Sequence, residues 1–222
     1  MTTGSVPPFQ FIGCVELRQA LDHRARDERE LLDRLEDVPA GSVSYHTHGY
    51  FLRHRPVTTA YGNDFAAWVA VQVRDQVLAE RLAVINPFEA ATLEDLREEL
   101  MSAVHDHLLK LTTVPRVEFG EAFHFQQSHI VEVPLGPAAT TLLEFRAGLA
   151  EVDASAIYFH MVEARARLGR RSGDFAEWIR DALGLPGLAE RIERIDAYMT
   201  SLERVRARVL ALVDAELEES GA

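Results

Sequence analysis

The sequence predicts a mainly α protein made of two tandem repeats related by a pseudo-two-fold axis. Each repeat has four or five helices and room for a short strand. Three observations predict this. Residues 63–69 read NDFAAWV, and residues 173–179 read GDFAEWI. Ordered matches flank that pair. Phe9, Phe11, Glu30, Leu35, Val38 and His46 return as Phe123, Phe125, Glu144, Leu149, Val152 and His160 at a separation of 114. Leu78 to Arg81 return as Leu188 to Arg191 at 110, and Leu93, Glu94 and Arg97 return as Leu202, Glu203 and Arg206 at 109. The third observation is helical spacing of apolar residues through both copies. Ordered matches along a whole unit are the signature of an internal duplication. The predicted organisation is a flexible lead at 1–8, repeat 1 at 9–111, a linker at 112–120 and repeat 2 at 121–219.

Each repeat opens on a Phe-x-Phe pair. A first helix follows in DERELLDRLEDV and in ATTLLEFRAGLAEV. A second runs through SVSYHTHGYFL and SAIYFHMVEARARL, each opening near a serine suited to N-capping. The third starts at Asp64 or Asp174. There Phe65, Trp68 and Val69, and again Phe175, Trp178 and Ile179, lie at i, i+3, i+4 on one apolar face. Asp174 and Glu177 have capping-box spacing. In repeat 1 this helix follows a longer connection, RPVTTAYGN. A short fourth helix carries Leu-Ala-Glu-Arg. A long fifth helix runs from Thr92 to about Lys110, and from Ser201 to about Glu219. The segment FHFQQSHIVEVPLG alternates enough for a short strand. Burying each Phe or Trp of the third helix contributes about 1.5–3 kcal/mol, so core packing by itself accounts for that motif. Two similar cores satisfy the pattern, but the expectation is one core shared across the pseudo-two-fold axis.

The net charge is −12. Nucleic acid needs clustered positive charge, and anionic membrane surfaces need the same, so neither is an expected partner. The arginine groups Arg204, Arg206, Arg208 and Arg167, Arg170, Arg171 are interleaved with acids or apolar residues and read as solvated faces. No apolar run approaches the roughly 18 to 20 residues that span a bilayer. The start, MTTGSVPPFQF, lacks a basic region followed by an apolar stretch. The lone Cys14 cannot staple a fold. Together these lead us to expect a cytoplasmic protein.

Ser42, Tyr45 and His46, then Asn63 to Trp68, Leu78 to Arg81 and Leu93 to Arg97 form a pattern that resembles a prokaryotic family known only as a domain of unknown function. The resemblance covers nearly the whole chain. It implies no activity, substrate or cofactor.

The residues best placed for chemistry are His46 and His160, which lie three positions after the apolar Val43 and Ile157 and so share their helix face. Each is followed by an aspartate at a helix start, Asp64 and Asp174. Tyr45 and Tyr158 beside the histidines complete a candidate ligand-binding set. Two histidines and two aspartates converging on an axis would suit zinc, iron or manganese. The structural alternative is a hydrogen-bonded core histidine and a capping aspartate, and it carries more weight. If the second helix runs to about Leu168, His160 lies two turns from its end, about 12 Å by helical rise. A simple hairpin then leaves Asp174 beyond contact.

Other patterns carry less. His46-x-His48 and His105-x-His107 point apart on a helix. Their second members are matched by Val162 and Glu216, and His105 by Asp214. The pair His105-Asp106 is absent from the second repeat. No glutamate lies three residues before His46, His105, His107, His129 or His160, so a carboxylate di-iron bundle fails. No phosphate-binding glycine loop or nucleophile elbow occurs. Cys14 reads as a buried, inert thiol. Glu80-Arg81, Glu190-Arg191, Arg97 and Arg206 are expected to pair between the fourth and fifth helices, the alternative being that, partly buried, they hold an anionic ligand. The expected function is a non-enzymatic module that binds a protein or small ligand, with no cofactor. The alternative is a metal-dependent, hydrolase-like enzyme using His46, His160, Asp64 and Asp174.

Overall fold

The computed structural model describes residues 7–54, 61–117, 119–136, 138–165 and 172–220. Residues 1–6 of the lead, 55–60 of the longer connection and the group Arg167, Arg170, Arg171 lie outside the described residues. The chain is mainly helical and has one two-stranded antiparallel sheet. It divides into two compact units. We call Glu16–His129 the central unit, and Met1–Val15 with Ile130–Ala222 the terminal unit.

The strands are longer than the sequence predicts. Strand β1 is Ile12–Ala25 and β2 is Phe123–Pro134. Each crosses the division between units, and the flanking bridges Phe9–Ala139 and Asp27–Arg116 are antiparallel. The middle of both strands is largely exposed on both faces, which erases the period-2 apolar signal that would have announced their length.

In the central unit, α1 (Glu28–Asp37) starts at Asp27, whose carboxylate accepts from the Glu30 amide. Its buried Leu31 and Leu35 pack with α6 (Leu93–Leu108), capped by Thr92. The predicted second helix is broken into α2 (Ala40–His46) and α3 (His48–Arg53). The break is at Thr47, whose hydroxyl donates back to the Val43 carbonyl. Helix α4 (Asp64–Trp68) starts at Asn63 and continues as a π-helical turn, Val69–Val73. Arg74 ends that turn with a left-handed φ of 67°. Helix α5 (Gln76–Ala83) follows, with Asp75 as its N-cap. Phe65, Trp68, Phe123 and Phe125 join one apolar core with Leu78, Leu82, Leu96 and Leu100.

The terminal unit holds α7 (Leu142–Glu151), which opens on a Thr141–Glu144 capping box. Then come α8 (Ala154–Tyr158) and a π-helical turn, Phe159–Glu163. Helices α9 (Asp174–Asp181), α10 (Pro186–Glu193) and α11 (Leu202–Ser220) complete it. Its aromatic interior joins Phe9 and Phe11 to Phe145, Phe175 and Trp178. The Phe-x-Phe pairs therefore do not pack with the helices that follow them in their own sequence repeat. Phe9 and Phe11 pack with the later helices, and Phe123 and Phe125 with Phe65 and Trp68.

The expected pairing of the fourth and fifth helices is only partly correct. Arg191 meets Glu216 across α10 and α11. Arg97 instead donates to the Leu35 and Val38 carbonyls at 2.6 and 2.7 Å, and Arg206 donates to Ala150. These guanidiniums satisfy orphan carbonyls at the C-termini of α1 and α7.

Candidate functional site

His46 is the last residue of α2 and is buried. Its Nδ1 lies 2.8 Å from Asp64 Oδ2, and its Nε2 accepts the Gln126 backbone amide at 3.0 Å. An Nε2 that accepts leaves the hydrogen on Nδ1, which donates to Asp64. Burial holds the imidazole below its ordinary pKa although Asp64 pulls the other way, so the ring is neutral. Asp64 also accepts from Arg53 at 2.5 Å. The Arg53 guanidinium lies 3.9 Å from the centre of the Tyr45 ring and donates to the Tyr45 carbonyl. The Tyr45 hydroxyl donates to the Gln126 side chain at 2.9 Å.

His160 repeats the arrangement within the terminal unit. Its Nδ1 lies 2.8 Å from Asp174 Oδ2, and its Nε2 accepts the Ile12 amide at 2.8 Å. Tyr158 is buried two residues before it. In both places an imidazole ties the backbone of a two-stranded ribbon to the first residue of a helix.

Two expectations are corrected here. Asp174 is not beyond reach of His160. A Cβ on Gly173 would lie 2.6 Å from the His160 carbonyl oxygen, so only glycine lets these backbones approach closely enough to deliver Asp174. The segment around His160 is also a π turn and not a uniform α-helix. Second, neither aspartate is a cap. Asn63 caps α4 through the Ala66 amide, and α9 starts at Gly173 with no side-chain cap, so the Asp174–Glu177 capping box does not form. Both carboxylates are thereby released to the histidines. To ligate a metal, each of His46 and His160 would have to give up one of the two hydrogen bonds that occupy its ring nitrogens, to Asp64 or the Gln126 amide and to Asp174 or the Ile12 amide.

A different cluster lies in the central unit. Glu28 is the first residue of α1, Asp75 caps α5 and His107 lies near the end of α6. One potential ligand atom from each falls within 4.8 Å of the others. His107 Nε2 is 2.9 Å from Asp75 Oδ2 and 3.8 Å from Glu28 Oε2. The other Asp75 oxygen accepts the Leu78 amide. Glu28 has 0% exposure, and neither of its carboxylate oxygens has a hydrogen-bond partner among the described residues. Burial, then Asp75 and Asp27, push its carboxyl up to about 7. Sequence reasoning set His107 aside and did not single out Glu28 or Asp75.

The terminal unit carries an open groove of about 550 Å³ between the end of β2 and α7. Phe11, Leu135, Ala147 and Val152 give it an apolar lining, and Glu144, Glu151 and Asp153 also line it. Accepting from Thr140 first, then Thr141, holds Glu144 below the usual carboxylate range and therefore charged. Gly148 keeps the wall close, because a Cβ there would meet the Phe11 ring at 2.4 Å. Cys14 is buried, and its thiol points to the Ser155 carbonyl. No helix among the described residues is long and apolar enough to cross a membrane.

The model of a family of unknown function, DUF5752, matches residues 6–214, and the chain belongs to that family. The chain is also similar to a solved structure, that of OrfY from Thermoproteus tenax. The two are 27% identical over 95% of this chain and 96% of that one, with a TM-score of 0.78. Comparison with curated proteins gives no match.

Proposed function

We propose that this DUF5752 chain is a cytoplasmic, non-enzymatic ligand-binding module whose ligand is a small molecule with an apolar body and a positively charged end. The groove beside α7 carries this reading. Its volume, about 550 Å³, is that of a small-molecule site. Its apolar lining suits a hydrocarbon chain or ring, and Glu144, Glu151 and Asp153 suit a cation at the mouth. The net charge of −12 adds a long-range attraction for such a ligand.

The reading includes an internal duplication, repeats 9–111 and 121–219, as the origin of the scaffold. The two His–Asp pairs support it, since both span 2.8 Å and both leave Nε2 on a strand amide. Those same bonds weigh against the alternative, a metal-dependent hydrolase using His46, His160, Asp64 and Asp174. A catalytic imidazole needs a nitrogen facing its substrate, and these rings are spent on the backbone.

The test is calorimetric titration with octylammonium and, separately, octanoate. We expect saturable one-to-one binding of octylammonium that weakens as salt is raised, and no binding of octanoate. Ala147→Trp, which fills the groove from an exposed helix position, should weaken octylammonium at least tenfold. Equal binding of both amphiphiles, no binding of octylammonium, or full binding by Ala147→Trp each overturns the assignment.

A further inference from the structure

We propose that Glu28, Asp75 and His107 form a binding site for a single first-row divalent transition-metal ion, of the class of zinc, manganese or iron(II). The site is in the central unit, and the inference is independent of the groove.

Three things carry it. The first is the state of Glu28. A carboxylate with 0% exposure and no hydrogen-bond partner on either oxygen among the described residues is rare, because burial without compensation is costly. The acids around Glu28 make matters worse: Asp75 is in the cluster and Asp27 precedes it, and Arg116 spends its charge on Asp27 and Glu30. A bound cation would give Glu28 the close partner it lacks, since the nearest basic nitrogen among the described residues, His107 Nε2, stops 3.8 Å from Oε2.

The second is the donor set. One imidazole nitrogen and two carboxylates suit zinc, manganese and iron(II), whereas magnesium and calcium take oxygen alone. Two carboxylates and a neutral imidazole around a divalent ion sum to zero net charge, the arrangement that a buried site tolerates. Bonds of about 2.0–2.2 Å place neighbouring ligand atoms roughly 3–4 Å apart. The spacings of 2.9 and 3.8 Å from His107 Nε2 are already close to that range.

The third is support and access. Asp75 is oriented by its second oxygen, which accepts the Leu78 amide. All three residues sit on helix ends, so their backbones are held by packed elements. The Asp75 side chain is 13% exposed while those of His107 and Glu28 are 5% and 0% exposed, so an ion reaches the cluster past Asp75. On binding, the His107–Asp75 hydrogen bond is exchanged for two metal bonds, and the imidazole hydrogen moves to Nδ1.

The experiment uses the full chain, stripped with chelator and titrated at pH 7.5 with zinc, manganese, cobalt and magnesium chlorides. Thermal melting and calorimetry follow binding, and cobalt absorption reads the ligand field. We expect one saturable site for zinc, a rise in melting temperature, visible cobalt bands and no response to magnesium at equal concentration. His107→Gln and Glu28→Leu should each weaken zinc at least tenfold and abolish the cobalt bands. Glu28→Leu keeps the test decisive, because it removes a buried carboxylate that has no hydrogen bond among the described residues and its apo form should melt no lower than the wild type. The proposal is overturned by the absence of saturable zinc binding, by cobalt bands that survive in Glu28→Leu, or by a magnesium response equal to that of zinc.

Discussion

The two units answer the same construction problem with different residues. In the central unit, α1 begins with Glu28, α5 is capped by Asp75 and α6 carries His107 near its end. In the terminal unit, α7 begins with Leu142, α10 is preceded by Leu185, and α11 carries Glu216. These residues lie at the separations of 114, 110 and 109 that align the sequence repeats. Leu142 and Leu185 are apolar, and Glu216 is neutralised by Arg191. A helix junction of this kind is thus built without a buried carboxylate. The polar cluster of the central unit therefore has no counterpart at the matched positions of the terminal unit. The His–Asp ties teach the opposite lesson, because they occur in both units with the same bonds.

That contrast can be broken most forcefully at the ties. His46→Ala and His160→Ala should each lower stability by about 3–5 kcal/mol, from a lost core side chain plus an orphaned strand amide. Denaturant unfolding of the two variants should give similar losses. A difference larger than about 2 kcal/mol, on the scale of one unpaired buried group, would show that the ties are not equivalent. A second effect belongs to the central unit alone. His48 is buried with its Nε2 on the Pro87 carbonyl, and burial pushes its pKa down from 6.5 to about 4. Between those values the unfolded chain takes up a proton that the native protein refuses. This part of the stability is therefore whole above pH 6.5 and is lost as pH falls toward 4, by up to about 3 kcal/mol. The matched residue is Val162, which has no charge to take up. Melting of wild type against His48→Gln from pH 7 to pH 4.5 should show the variant losing less. The smallest effect is a gain. Glu28→Leu gives the central unit the residue found at 142 and should stabilise the metal-free protein by about 1–3 kcal/mol at pH 8. A loss of stability there would mean that Glu28 has a structural partner after all.

The long helices α6 and α11 were legible because their apolar positions keep a helical period and Thr92 marks a start. Strand β2 was legible in FHFQQSHIVEVPLG, but β1 was not, since an exposed ribbon has little apolar face to alternate. Nor were the π turns at Val69–Val73 and Phe159–Glu163, whose wider period defeats a 3.6-residue template. His46, Asp64, His160 and Asp174 were found because the sequence states them twice. Their pairing was misjudged at His160 because the consequence of Gly173, a backbone approach without a Cβ, has no signature in periodicity. Glu28, Asp75 and His107 escaped for the reverse reason. Comparing repeats keeps what is shared and discards what one copy alone possesses. Three helix ends far apart in the chain leave no spacing motif to read.

The division of the chain also sets an order of events during synthesis. The central unit is one continuous stretch, Glu16–His129, and can assemble as soon as it has been made. The terminal unit is discontinuous. Phe9 and Phe11 leave the ribosome early, yet the rings that shelter them, Phe145 and Phe175, are translated more than a hundred residues later. Until those helices are made, Phe9 and Phe11 lack the rings that bury them, and transiently exposed apolar surface of that kind favours aggregation.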